Sequence, residues 1–146
     1  MSSAKINDPL LKVAAVLWVI WGLVHVLAGV MTVSLPTPEA VAGIADAVEP
    51  ASVQMAYPAA AGAIIKRHGF HLGGVGLATS VGGVFVWRGS ASAIFISALV
   101  GGLADLGYFI FIDLGGYNRF MPGTVMTLIS AAAIGLSFFA YRRRGK

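Results

Sequence analysis

The 146-residue chain is 58% hydrophobic and 11% charged, with a mean hydropathy of +0.84, a composition that water-soluble domains of this length do not carry. The absence of cysteine excludes disulfide frameworks, thiolate nucleophiles, Cys-ligated zinc, iron–sulfur clusters and quinone-coupled dithiol chemistry. A net charge of +4 and a pI near 9.8 invite a nucleic-acid partner, but the basic residues stand at the ends of apolar runs, where they set topology and meet anionic lipid headgroups, so no nucleic acid is expected.

The first predicted element is a membrane span over residues 10–33, behind a polar start with Lys5, Asp8, Pro9 and Lys12. At about 24 residues it exceeds the apolar stretch of a cleavable leader, and a retained helix is expected. An outer loop follows over residues 34–68. Within it, Thr37 as N-cap, Pro38 and Glu39 begin a short helix whose Val41, Ile44, Ala45 and Val48 recur at helical spacing, an amphipathic element expected to lie on the membrane surface. The next helix begins near Pro58, and its lipid-embedded part is expected over 69–87, because Lys66, Arg67 and His68 belong at headgroup level. Arg88, Gly89 and Ser90 form a tight connection to a third span over 91–112. A short loop with Asp113, Tyr117, Asn118 and Arg119 leads to a fourth span over 122–141, started by Pro122 and closed by the basic tail 142–146.

The fold class expected is therefore all-α, an integral membrane four-helix bundle running up-down-up-down in a single domain. Placing the tail on the cytoplasmic side puts Arg142, Arg143, Arg144, Lys146, Lys5, Lys12 and Arg88 inside, against Lys66, Arg67 and Arg119 outside. That distribution predicts both termini in the cytoplasm, with a bacterial inner membrane as the expected location. Helices in a bilayer associate by close packing, so the recurrence of Gly74, Ala78 and Gly82, flanked by Gly73, Gly76 and Gly83, predicts a tight interhelical contact, with an oligomer interface or room for a flat cofactor as alternatives. Gly73-Gly74-Val75-Gly76 follows no strand and is not a dinucleotide fingerprint.

Ionisable residues inside a span cost roughly 2.5–3.5 kcal/mol at the helix centre and face protein or a water-filled cavity. Here they are His25, His71 and Asp105, with His68 one turn before His71. With a rise of 1.5 Å per residue, His25 lies roughly 12 Å and Asp105 roughly 10 Å below the outer ends of their helices. Thr124 and Thr127 fall in the same layer. A polar pocket opening outward is expected, rimmed by Lys66, Arg67 and Arg119. His25 shares a stripe with Trp18, Trp21 and Gly22, opposite a lipid face of Leu17, Ile20, Val24, Leu27 and Met31.

Three functions fit that pattern. In the leading one the polar residues are interhelical hydrogen-bond partners, each adding about 0.6 kcal/mol, and the protein is an accessory or scaffold subunit of a homo-oligomer or larger membrane complex. In the second, His25 and His71 ligate a b-type haem, or His25, His68, His71 and Asp105 supply ligands to zinc, copper or iron. In the third, Asp105 and a histidine act as acid and base in a proton-coupled transporter or an enzyme for a lipophilic substrate. In size and span number the chain resembles several small bacterial groups, among them DoxX-like proteins, microsomal-glutathione-transferase relatives and small multidrug transporters. The first span lacks the embedded glutamate of the last group, and the resemblance in layout transfers no functional residue.

Overall fold

The computed structural model describes residues 8–44, 50–117 and 120–143, and every regular element among them is helical. Lys5, Ala45, Val48, Asn118, Arg119, Arg144, Gly145 and Lys146, which carry expectations from the sequence, lie outside the described residues. The elements are α1 (Pro9–Ser34), α2 (Thr37–Ile44), α3 (Pro50–Val53), α4 (Ala59–Trp87), α5 (Ala91–Tyr108) and α6 (Val125–Arg143), with π-helical turns at Phe109–Asp113 and Phe120–Thr124. Four helical stretches are long and apolar enough to cross a membrane: Pro9–Ser34, Ala59–Trp87, Ala91–Asp113 and Val125–Arg143. Large apolar side chains such as Leu23, Leu27, Leu77, Leu99 and Leu103 stand exposed along them, an arrangement suited to lipid and not to water.

Local chemistry explains the boundaries. Asp8 caps α1 by accepting the Leu10 N–H at 3.0 Å, with Pro9 in the first turn, where its missing N–H is no loss. At the other end of α4, Gly89 adopts a φ of +85°, which lets the Gly89 N–H reach Val86 O at 2.8 Å and the Ser90 N–H reach Phe85 O at 3.0 Å. Ser90 then caps α5 through its hydroxyl oxygen, which accepts from Ala93 N. The three-residue connection expected from sequence is this paired cap. α2 starts at Thr37 rather than after it, because the Pro36 carbonyl already accepts the Ala40 N–H at 2.9 Å.

Helix α1 packs on α4 and α6, and α5 bridges α4 and α6. The α1/α4 contact is antiparallel and built from small residues spaced by seven: Ala15, Gly22 and Gly29 on α1 are buried with Gly69, Gly76 and Gly83 on α4. A Cβ at Gly29 would lie 2.5 Å from Gly73 N, and one at Gly76 would lie 2.5 Å from Gly22 O, so the two backbones touch. Seven is the period that keeps one seam aligned in left-handed helix packing. The stripe expected at Gly74, Ala78 and Gly82 is displaced from this seam. Nothing lies within 4 Å of a Cβ at Gly74, and Gly82 faces Ser97 of α5.

One end of the bundle is closed. Leu11, Ala15 and Trp18 of α1 cluster there with Val86, Ala93, Ile94, Ala133 and Ala140, all buried. Trp18 fits because α5 has glycine where the indole lies: a Cβ at Gly101 would be 2.5 Å from its Cζ3. Leu17, expected on the lipid face, packs partly against this core, whereas Ile20, Val24, Leu27 and Met31 are exposed.

Candidate functional site

At the opposite end the helices part around a partly open cavity of about 450 Å³, within the range of small-molecule sites. Its wall is chiefly apolar, with Val24 of α1, Leu72 and Val75 of α4, Phe111 and Ile112 of the first π turn, and Met126 of α6. Set into that wall are His25, His68, His71, Asp105 and Tyr108. The four candidate residues thus reach one cavity from three helices. Gly43 and Ile44 of α2 also line it, and Ala40 of the same helix is buried. So α2, expected on the membrane surface, docks on the bundle beside the cavity, its Thr37 hydroxyl 2.8 Å from where a Cβ at Gly62 would stand.

Trp21 organises the polar wall. Its indole Nε1–H donates to Asp105 Oδ2 at 2.8 Å, a buried bond joining α1 to α5, and its ring stacks on His25 with centroids 3.6 Å apart and planes 21° apart. Trp18 meets the same indole edge-on at 6.1 Å. Ser130 of α6, whose hydroxyl donates to the Thr127 carbonyl at 3.0 Å, stands beside the Asp105 carboxyl. Asp105, 5% exposed, is therefore held from α1 and flanked by α6.

His25 has a defined tautomer. Its Nδ1 lies 2.7 Å from the Trp21 carbonyl oxygen, which can only accept, so Nδ1 carries the hydrogen and Nε2 of the neutral ring keeps a lone pair. An indole N–H donates but cannot accept, so no proton passes through Trp21. A proton moving between Asp105 and His25 travels through the cavity, by water or by whatever occupies it. His68 and His71, both exposed, stand across the cavity on α4.

The π turn after Tyr108 helps to shape this end. Its Leu114 N–H reaches back five residues to Phe109 O at 2.9 Å, widening the helix where Tyr108, Phe111 and Ile112 meet the cavity. The remaining sequence candidates fall elsewhere. Thr124 donates to Asp113 Oδ1 at 3.0 Å, tying the two π turns together, and the Thr127 carbonyl accepts from Ser130. Gly123 of the second π turn and Met126 of α6 meet the cavity instead. Lys66 and Arg67 are exposed and do not line it, and Arg119 lies outside the described residues. Among the described residues no group of three His, Asp or Glu side chains is close enough to hold a metal ion.

Sequence reasoning missed the bond from Trp21 to Asp105 and the participation of α2, whereas Tyr108 lies on the helical face it shares with Asp105 by sequence. The signal for Trp21 was its spacing of four from His25, which stacks the two rings on one helical face. The chain matches no protein family, no characterised protein and no solved structure.

Proposed function

We propose that this multi-span membrane protein binds a lipophilic small molecule with a polar head in the cavity, and that Asp105 and His25 exchange a proton with that head. The observation that carries the reading is the meeting of His25, His68, His71 and Asp105 on one apolar cavity. Interhelical partners in a scaffold would bond to one another. Asp105 does bond across to α1 through Trp21, as a scaffold expects, but His25 bonds within its own helix and leaves Nε2 to the cavity, and on that group we put the binding function first. An apolar wall with a few convergent polar groups is the usual form of a site for a molecule that partitions into lipid. Acid and base held apart by a rigid indole suit general acid–base chemistry, in an enzyme or at the coupling site of a transporter.

A channel fits poorly, because buried Leu11, Ala15, Val86 and Ile94 fill the far half of the bundle. Both termini on the cytoplasmic side of a bacterial inner membrane complete the proposal, on the strength of the basic residues named above. A homo-oligomer or membrane partner would cover part of the apolar surface left exposed. The glycine seam belongs to the bundle itself in this reading.

The test is mass spectrometry of organic extracts from the purified protein. A small lipophilic compound should co-extract with the wild type and be depleted in Ala104→Phe, which fills the cavity, and in His25→Phe, which keeps the ring stack and removes both nitrogens. Equal recovery from all three would sink the reading.

A second reading rests on the His25 tautomer. An imidazole that donates through Nδ1 to a carbonyl and offers Nε2 is oriented as a ligand, as in a haem site shared with His71. Absorption spectra with and without dithionite decide it, and the absence of a Soret band would remove it.

A further inference from the structure

A second groove lies near the closed end of the bundle, on the lipid side of the α1/α4 seam. Its floor is Ala15 and Gly83, and its walls are Val16, Val19 and Ile20 of α1 and Val84 and Trp87 of α4, enclosing about 430 Å³. Arg88 closes its end, and one turn along α1 the Lys12 ammonium stands 5.3 Å from the centroid of the Trp87 ring. An apolar trough between two helices thus runs out toward two cations and an indole. Trp at the membrane boundary marks headgroup level, and basic pockets between spans are where anionic headgroups settle.

We infer that this groove is a binding site for one anionic phospholipid, whose acyl chain lies along Val16, Ile20 and Val84 while its phosphate sits between Lys12 and Arg88. Charge complementarity selects the occupant. A zwitterionic lipid would bring its own cation to a mouth that already holds two. A neutral apolar ligand would gain nothing from Lys12 or Arg88. The glycine at 83 is part of the fit: a Cβ there would lie 2.8 Å from Val19 Cγ2 and 2.9 Å from Ala15 O, spreading the helices that form the floor. This site is separate from the histidine cavity and does not depend on its function.

The experiment uses a natural reporter. Of the three tryptophans, Trp18 and Trp21 are fully buried and Trp87 is 47% exposed at the groove, so lipid quenching of fluorescence reads Trp87. The whole protein is reconstituted in phosphatidylcholine bilayers containing small fractions of phosphatidylglycerol or phosphatidylcholine with brominated acyl chains. Brominated phosphatidylglycerol should quench at a mole fraction about 25-fold lower, about fivefold for each of the two cations. Lys12→Gln with Arg88→Gln should abolish the preference while leaving quenching by brominated phosphatidylcholine unchanged. Val16→Phe, which fills the trough, should weaken quenching by both. Equal quenching by the two lipids in the wild type overturns the proposal without any variant, and so does a preference that survives loss of both cations.

Discussion

Trp21 and Asp105, 84 residues apart in the chain, share one buried hydrogen bond of 2.8 Å that fastens α1 to α5 beneath the cavity. Replacing Trp21 by Phe keeps most of the ring stacked on His25 but strips the carboxyl of its donor. A loss of about 1–3 kcal/mol is expected, the cost of a buried polar group left short of a partner. Asp105→Asn retains an acceptor for the indole N–H and should cost less than about 1 kcal/mol. Thermal unfolding in mild detergent, followed by circular dichroism, ranks the two. Equal losses would mean that the bond is not what stabilises this contact.

The α1/α4 seam predicts opposite fates for glycines a few residues apart. Gly76→Leu drives a side chain into the Gly22 carbonyl and should prevent the folded bundle from surviving extraction. Gly74→Ala meets open space and should be neutral or slightly stabilising. Monodispersity on size exclusion distinguishes these outcomes.

Trp18 and Gly101 form a large-to-small pair. Gly101→Val should overpack the core and cost about 1–3 kcal/mol. Trp18→Leu alone should leave a void and cost about 3 kcal/mol or more. Together they exchange volume across the same contact, so the double variant should be more stable than the sum of the single losses implies. Strict additivity, measured by the same thermal unfolding, would contradict the packing described above.

The cysteine-free chain lends itself to a topology test. Ser92→Cys, beside the α4/α5 connection, should react with a membrane-impermeant maleimide from the cytoplasmic side only. Leu114→Cys, 68% exposed at the end of the first π turn, should react from the outside only. Reversed labelling would invert the orientation drawn from the basic residues.

Much of this architecture was legible because bilayer constraints write themselves into sequence as long apolar runs, punctuated by proline, glycine and charge. Depth along a helix was legible too, since 1.5 Å per residue is all that brings His25, His71 and Asp105 to one level. Rotation about each helix axis was harder to read. Gly74-Ala78-Gly82 has the familiar four-residue spacing, but the buried seam follows the seven-residue spacing of Gly69, Gly76 and Gly83. A glycine-rich helix offers several such stripes, and only the partner's Ala15, Gly22 and Gly29, also seven apart, select one. For the fourth span the sequence offered depth alone, placing Thr124 and Thr127 in the polar layer without saying which way they face. A π turn at Phe120–Thr124 resets the facing of α6, so Met126 rather than Thr127 reaches the cavity. Docking of α2 was hidden for another reason: eight residues with one buried alanine carry too little pattern to tell a lipid surface from a protein one.

The plug formed by Leu11, Val86 and Ile94 has a kinetic consequence. It closes the far half of the bundle, so anything bound in the cavity would have to enter and leave on the histidine side. If chemistry occurs there, product and substrate compete for the same space, and inhibition by product should be competitive. Carriage across the membrane would instead require the seam between Gly22 and Gly76 to unzip, a motion of whole helices rather than of side chains.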